Sequence, residues 1–369
     1  MSAGPRIAFF GSSLVSAYWN GAATYYRGVL KHLHALGYRP TFFEPDAFDR
    51  QKHRDIEDPP WCAVEVYSGT DERDLWRAIE RGSQADVLVK ASGVGVWDDL
   101  LTTALPLAKR PGATCVYWDV DAPATLARLR CAPDDPLRRT LPAYDLVLTY
   151  GGGDPVVRGY RALGARACVP VYNALDPETH HRAPPDARFS CDLALLANRL
   201  PDREARVDAF FLAPAEALRD KTFLLGGNGW DDKVLPPNVR RFGHVYTRDH
   251  NALNSSAGAV LNVARDSMAA TGWSPATRVF EAAGAGACIV TDAWDGVEDF
   301  LAPGAEILVA RDGEEVARVL RGLSPLRART IGEAARRRVL GAHTYAARAR
   351  QLDLLLRAGR TPLSTTAVT

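Results

Sequence analysis

The stretch "SPATRVFEAAGAGACIVTDAWDGVEDF", residues 274–300, decides the fold, because it runs a short helix pattern directly into an apolar strand. Ser274 and Pro275 read as an N-cap followed by proline at the first helical position. Gly284 and Gly286 are placed to end the helix, and "ACIVTD" reads as a short buried strand. Ser274, Thr277, Arg278 and Glu281 fall at i, i+3, i+4 and i+7 and share one face. Val279, Phe280 and Ala283 take the opposite face, which belongs on a sheet. The polar face then meets either water or a ligand. As a solvated pair, Arg278 and Glu281 contribute only about 0.2–0.5 kcal/mol, so the stretch leaves both readings open.

Working outward, the same alternation fills the chain. In the first half "RIAFF", "PTFFEP", "AVEVY", "DVLVK", "TCVYWDVD", "DLVLTY" and "ACVPVY" read as strands. Helix patterns such as "TYYRGVLKHLHAL", "ERDLWRAIERG" and "DDLLTTALPLAK" lie between them. A second series follows from "CDLALLAN" through "KTFLLGG", "RRFGHV", "GAVLNVA" and "ACIVTD" to "AEILVA". Strand–helix alternation predicts an α/β fold with mostly parallel sheets covered on both faces. Residues 1–175 are expected to form one Rossmann-like domain, 176–190 a proline-bearing linker, and 191–340 a second domain. Residues 341–369 are expected to be a terminal helix crossing back to the first domain, plus a frayed tail. Two doubly wound domains facing each other would border a cleft with the carboxyl ends of both sheets, where ligands bind in such folds.

Composition narrows the functional classes. The 369 residues carry 45 Lys and Arg against 44 Asp and Glu, a net charge of +1. No basic excess points to nucleic acid or an anionic membrane. No apolar run approaches the roughly 18 residues that span a bilayer, and the N-terminus reads as a first strand, not a signal peptide. Cys62, Cys115, Cys131, Cys168, Cys191 and Cys288 are scattered without a CxxC pair. That argues against zinc or a disulfide framework and fits a reducing cytoplasm.

Several motifs carry chemistry. The first turn, "GSSLVSAYWNG", offers Gly11 and Ser12 to a ligand but lacks GxGxxG spacing. "VLVKASGVGVWDD" has Gly93 and Gly95 after a strand, yet Asp98 stands where the third glycine belongs, and a carboxylate faces a pyrophosphate badly. In "WDVDAP", strand alternation puts Asp119 and Asp121 on one face at the strand's carboxyl end. They could hold a divalent ion on a diphosphate, serve as base or acceptor-positioning group, or, for Asp121, cap the next helix. "YGGGD" permits close backbone approach at a helix start, with Asp154 as a possible N-cap. Asn198 and Arg199 follow a strand and precede a helix, where a bidentate guanidinium suits a diphosphate; an ion pair with Asp202 or Glu204 is the plain alternative. Gly227 in "LLGGNGW" would let a nucleotide approach the backbone, and His244 ends a strand where a base ring could lie. His180 and His181 read as solvated linker residues.

The pattern arginine, Val-Phe-Glu, Gly-x-Gly, apolar strand, Thr-Asp, then "GVEDF", resembles the C-terminal domain of GT-B glycosyltransferases, in particular the CgeB-like, spore-maturation group. "FFGSSLVSAYWNGAATYYRGV", "KASGVGVWDD", "YWDVDAPATL", "TYGGGDPVV", "YNALDP", "NRLPDREARV" and "HTYAARA" resemble segments of the same group, so the likeness covers most of the chain. It implies two Rossmann-like domains and transfer of a sugar from a nucleoside diphosphate sugar, of uridine or thymidine type, to a hydroxyl acceptor. It implies no cofactor and no required metal. Glu281 matches the glutamate that holds the donor ribose, a role a carboxylate with two acceptor oxygens performs well. Arg199 matches the basic position on the diphosphate. Ser274 and Thr277 would offer hydroxyls to phosphate or sugar, Arg278 would steady the leaving group, and Asp119 is the best candidate base. The chain departs from many retaining relatives at "TGWSP", where Trp273 stands eight residues before Glu281 and a second glutamate is missing. A nucleotide-sugar epimerase on the same fold and a catalytically silent nucleotide-sugar-binding protein are the alternatives.

Overall fold

The computed structural model describes residues 4–18 and 20–358; the terminal residues 360–369, read from sequence as a frayed tail, lie outside them. The chain forms two compact units. Among the described residues, the first comprises those up to Tyr172 and from Tyr345 onward, and the second runs from Asn173 to Thr344. Among the described residues no helix is long and apolar enough to cross a membrane.

The first unit is built on seven parallel strands: β1 (Arg6–Phe10), β2 (Arg39–Asp46), β3 (Ala63–Ser68), β4 (Val87–Ala91), β5 (Thr114–Asp119), β6 (Leu146–Thr149) and β7 (Cys168–Pro170). Their spatial order is 3-2-1-4-5-6-7. β4 and β5 are buried along their whole length, as expected where helices cover both faces. Phe9 stacks on Phe42 at 5.1 Å and Phe10 on Phe43 at 4.5 Å, so neighbouring strands are joined by aromatic pairs on both faces. The helix Tyr345–Ala358 completes this unit. Its Tyr345 ring lies against Gly28, where a Cβ would come within 2.2 Å, and Arg348 donates to the Tyr172 carbonyl.

The second unit repeats the plan with six parallel strands: β8 (Cys191–Leu196), β9 (Phe223–Gly226), β10 (Val239–Gly243), β11 (Ala257–Asn262), β12 (Ile289–Asp292) and β13 (Leu308–Ala310). The order β10-β9-β8-β11-β12-β13 is again 3-2-1-4-5-6. In each sheet the connection reverses beside the first strand, between β1 and β4 and between β8 and β11. That reversal opens a crevice outside the carboxyl ends of the strands. The helical pattern over 202–218 is divided: helix Pro201–Val207, a wide π turn at Asp208–Leu212, and helix Ala213–Ala217. Residues 176–190 pack as part of this unit, and Leu175 donates its N–H to the His343 carbonyl at 2.8 Å.

Candidate functional site

The second sheet's crevice is walled by the segment after β8. Ala197 donates to the Gly226 carbonyl, Arg199 N–H to the Asn228 carbonyl, and Gly227 N–H to the Gly243 carbonyl. The indole of Trp230 donates to the Ala197 carbonyl at 2.7 Å. Asn198 accepts from the Asn228 N–H through Oδ1 at 2.9 Å. Gly227 has φ +120°, and a Cβ there would lie 2.1 Å from the Ala197 carbonyl oxygen. The glycine is therefore required by loop-on-loop contact. His244, at the end of β10, is exposed, meets Asn228 at 3.3 Å and packs edge-on to Tyr246.

Arg199 is engaged within its own unit. Its guanidinium makes two bonds to Glu204, at 2.8 and 2.7 Å, and a third to Asp232 at 2.7 Å. The Arg199 and Lys233 bonds hold Glu204 down to about 2, so the ion-pair alternative weighed above is realised in this state.

The sequence reading missed two of the arginines that stand beside it, Arg203 and Arg265. Arg203, one turn further on, is only 9% exposed. It donates to the Asn198 carbonyl at 2.7 Å, while its buried Nε has no hydrogen-bond partner among the described residues. Burial, reinforced by the charges of Arg278 and Arg265, pushes the Arg203 guanidinium down to about 9. Arg265 follows β11 and pairs with Asp202 at 2.5 Å. Arg278, whose pKa is also lowered by burial, donates to the Oδ1 of buried Asn262 at 3.2 Å. Below them Asp292, fully buried at the end of β12, accepts from Arg206 at 2.6 Å and from the Ala264 N–H at 3.0 Å. Like charges crowded in a partly buried crevice raise the energy of the cationic state unless an anion shares them. One signal was available in sequence: Arg265 and Asp292 each stand at or just beyond a strand's carboxyl end, as Arg199 and Asp119 do.

The helix that opened the sequence reading begins later than expected. It spans Thr277–Gly284 with Ala276 as N-cap and no side-chain cap. Ser274 lies outside it and donates to the Gly272 carbonyl at 3.0 Å. The cause is a tight turn: Trp273 has φ +44°, its N–H donates to the Asp295 carbonyl, and its indole donates to Asp299 at 2.7 Å. A non-glycine residue in that region costs on the order of 1–2 kcal/mol. Thr277, Arg278 and Glu281 stay together on the half-buried side, while Val279, Phe280 and Ala283 are buried.

Glu281 has unexpected neighbours. His180, read above as solvated, is 3% exposed, and its Nε2 lies 3.5 Å from Glu281 Oε1. Adjacent His181 is exposed. His250, on the helix Thr247–Ser256, completes the group; burial lowers its pKa.

In the first unit, Asp119 is fully buried. Its Oδ1 accepts from Ser92 at 2.8 Å, Thr125 at 3.1 Å and the Asp121 N–H at 3.0 Å, and its Oδ2 accepts from the Tyr160 hydroxyl. With four internal donors and no exposure, the carboxylate is placed to anchor the β5 turn, not to take an acceptor's proton. Asp121 occupies the N-cap of helix Ala122–Cys131 without a side-chain capping bond. The N-cap of helix Gly153–Ala162 is Gly152, with Asp154 in its first turn. Gly11 packs under the Phe42 ring and Ser12 donates to Asn20 at 2.9 Å. Asp98 accepts from Lys90 at 2.5 Å and from the Gly95 N–H at 2.7 Å, closing the "SGVGVWDD" loop on itself.

Residues 203–353 match a family model described as "Glycosyl transferase-like". Among curated proteins no sequence matches. Solved structures match throughout. HepE from Anabaena, in complex with UDP and glucose, aligns with a TM-score of 0.68 and 14% identity over 96% of this chain and 100% of its own. Sucrose-phosphate synthase from Thermosynechococcus elongatus gives 0.69 and 15% over 96% and 98%. An alpha-glucosyltransferase in complex with UDP-glucose and DNA gives 0.67 and 12% over 96% and 100%. Over 96% of its length, the chain thus has the GT-B glycosyltransferase fold, shared with enzymes crystallised with UDP-sugars.

Proposed function

We propose that the protein is a glycosyltransferase whose second unit binds a nucleoside diphosphate sugar and whose first unit serves the hydroxyl acceptor. The observation that carries this reading is the trio Arg203, Arg265 and Arg278 at the topological switch point, with a buried guanidinium nitrogen left unpartnered. A diphosphate supplies the missing charge and acceptors, and charge-assisted bonds to it are roughly twice as strong as neutral ones. The same guanidiniums would stabilise the charge that develops as the diphosphate leaves, so a divalent ion is not required for that step. Positioning and electrostatic stabilisation supply most of the rate in such a transfer. Glu281, at the far end of the same helix face as Arg278, would accept the ribose hydroxyls. Asn198, Thr277 and the Gly227 turn would border the nucleotide, with His244 at its base end. The donor is of uridine or thymidine type, the group is the CgeB-like one, and six unpaired cysteines suit a cytoplasmic location.

The test is calorimetric binding of UDP, dTDP, GDP, ADP and NAD to wild type and to folded Arg278→Ala and Glu281→Ala. The reading requires tight binding of one diphosphate, weakened in both variants. Binding of NAD alone, or equal binding by the variants, overturns it. An epimerase would convert donor without acceptor, and a silent binding protein would bind donor with no turnover.

A further inference from the structure

Three elements of the second unit bring metal-ligating atoms to one point: His180 from segment 176–190, His250 from helix Thr247–Ser256, and Glu281 from helix Thr277–Gly284. Their ligand atoms all lie within 4.8 Å of one another. Nε2 of His180 and Nδ1 of His250 are both buried without a hydrogen-bond partner among the described residues. Orphaned buried nitrogens on two neighbouring imidazoles are a cost, and the group facing them is Glu281, whose Oε1 lies 3.5 Å from His180 Nε2. The His250 tautomer is set by its other nitrogen, because Nε2 faces the Val245 carbonyl at 3.3 Å. A carbonyl only accepts, so Nε2 carries the hydrogen and Nδ1 presents its lone pair to the cluster. Fixing a ligand's tautomer through a backbone carbonyl is a recurrent feature of histidine metal sites.

We infer that His180, His250 and Glu281 form a binding site for a divalent transition-metal ion of the zinc or cobalt type. Two imidazoles and one carboxylate are the donor set for such ions and not for magnesium or calcium. Tetrahedral bonds of about 2.0–2.2 Å put ligand atoms about 3.3–3.6 Å apart, so the three atoms need to approach one another by up to about 1.5 Å. Three ligands leave a position open on a four-coordinate ion. The ion would tie segment 176–190 to the two helices. The site stands on its own geometry, independent of the donor reading, though Glu281 serves both.

The untagged full chain, stripped with chelator, is titrated with zinc by calorimetry and with cobalt by visible absorption, and its thermal midpoint is followed with and without zinc. The expected result is one ion per chain and a raised midpoint. Binding should fall by more than about 100-fold in His180→Ala and His250→Ala, beyond the roughly 10–100-fold that loss of a supporting group costs. His181→Ala should bind as wild type does. Circular dichroism verifies folding, and His250→Asn replaces His250→Ala if the alanine variant does not fold. No ion on wild type, or unchanged binding in the His180 and His250 variants, overturns the site. UDP titration of wild type and His250→Ala separates the two proposals, since His250 is not placed on the nucleotide. Ion binding in wild type without binding of any of the nucleoside diphosphates UDP, dTDP, GDP and ADP would sink only the donor reading.

Discussion

The two sheets share one strand order and one switch point, yet the turns at those switch points differ in kind. After β1 the loop is neutral and closed on itself: Ser12 bonds Asn20, Ser13 bonds buried Glu44, and Leu14 N–H bonds the same carboxylate at 2.6 Å. After β8 the loop carries Arg199 and Arg203, and further arginines arrive from β11 and from the helix Thr277–Gly284. The fifth strands repeat the contrast. β5 and β12 each end in a fully buried aspartate, but Asp119 is met by hydroxyls and a backbone N–H, whereas Asp292 is met by Arg206. Topology supplies a crevice twice; at the first, buried Arg50 donates to the Ser12 and Val94 carbonyls, whereas at the second, arginines arrive from three separate elements, which favours that crevice for an anion.

That contrast can be broken most forcefully at the aspartates. Asp292→Ala leaves Arg206 without its main partner and should cost about 3 kcal/mol or more by urea unfolding. Should Asp292→Ala unfold no earlier than wild type, the ionic core of the second unit is not what holds it together. Next in size is ligand affinity. Arg203→Ala should weaken nucleoside diphosphate binding by about 100-fold, or about 2.7 kcal/mol, while Ser12→Ala should leave it within about twofold. Equal losses in both would show that the charged and neutral turns are not functionally distinct.

Glycine replacement sharpens the same comparison on a smaller scale. Gly227→Ala combines φ +120° with a contact of 2.1 Å to a backbone oxygen and should cost about 2–3 kcal/mol. Gly93→Ala, with φ +68° and open space around it, should cost about 1 kcal/mol. Thermal midpoints of the two variants test the order. The smallest effect is in pH dependence. Burial raises the Asp119 carboxyl above its usual range, so the folded chain keeps that proton after the unfolded chain has lost it. The resulting contribution is present below the unfolded value of about 3.9 and fades as pH rises through the folded one. Wild type should therefore lose stability relative to Asp119→Asn as pH rises above about 4. A flat difference would mean that the four donors cancel burial.

The central strands were legible because continuous apolar runs bounded by turn residues are what sheets covered on both faces demand; the edge strands β3 and β10, half-exposed and charged, were legible from their place in the strand–helix alternation. The site was legible only in part. Arg278 and Glu281 share a face by helical spacing, and that spacing survives in the fold. Ser274 was misread as a cap because nothing local announces that Trp273 takes a left-handed turn held by Asp295. Asp119 looked accessible because strand alternation tells the face of a residue, not what the following helix lays over it. Arg203 was not singled out and His180 was read as solvated for a related reason: burial of both comes from the tertiary fold, which their own segments do not announce.

The last helix, Tyr345–Ala358, belongs to the first unit although the whole second unit precedes it in the chain. During synthesis the second unit is therefore complete while the first still lacks the element whose Leu352 and Leu356 line one apolar cavity with Ile7, Phe9, Val87 and Trp118. A chain halted before residue 345 would present that apolar surface to solvent, the condition under which nascent chains recruit chaperones or aggregate. The order of maturation is thus reversed relative to the order of translation: the sheet made first is the last to be sealed.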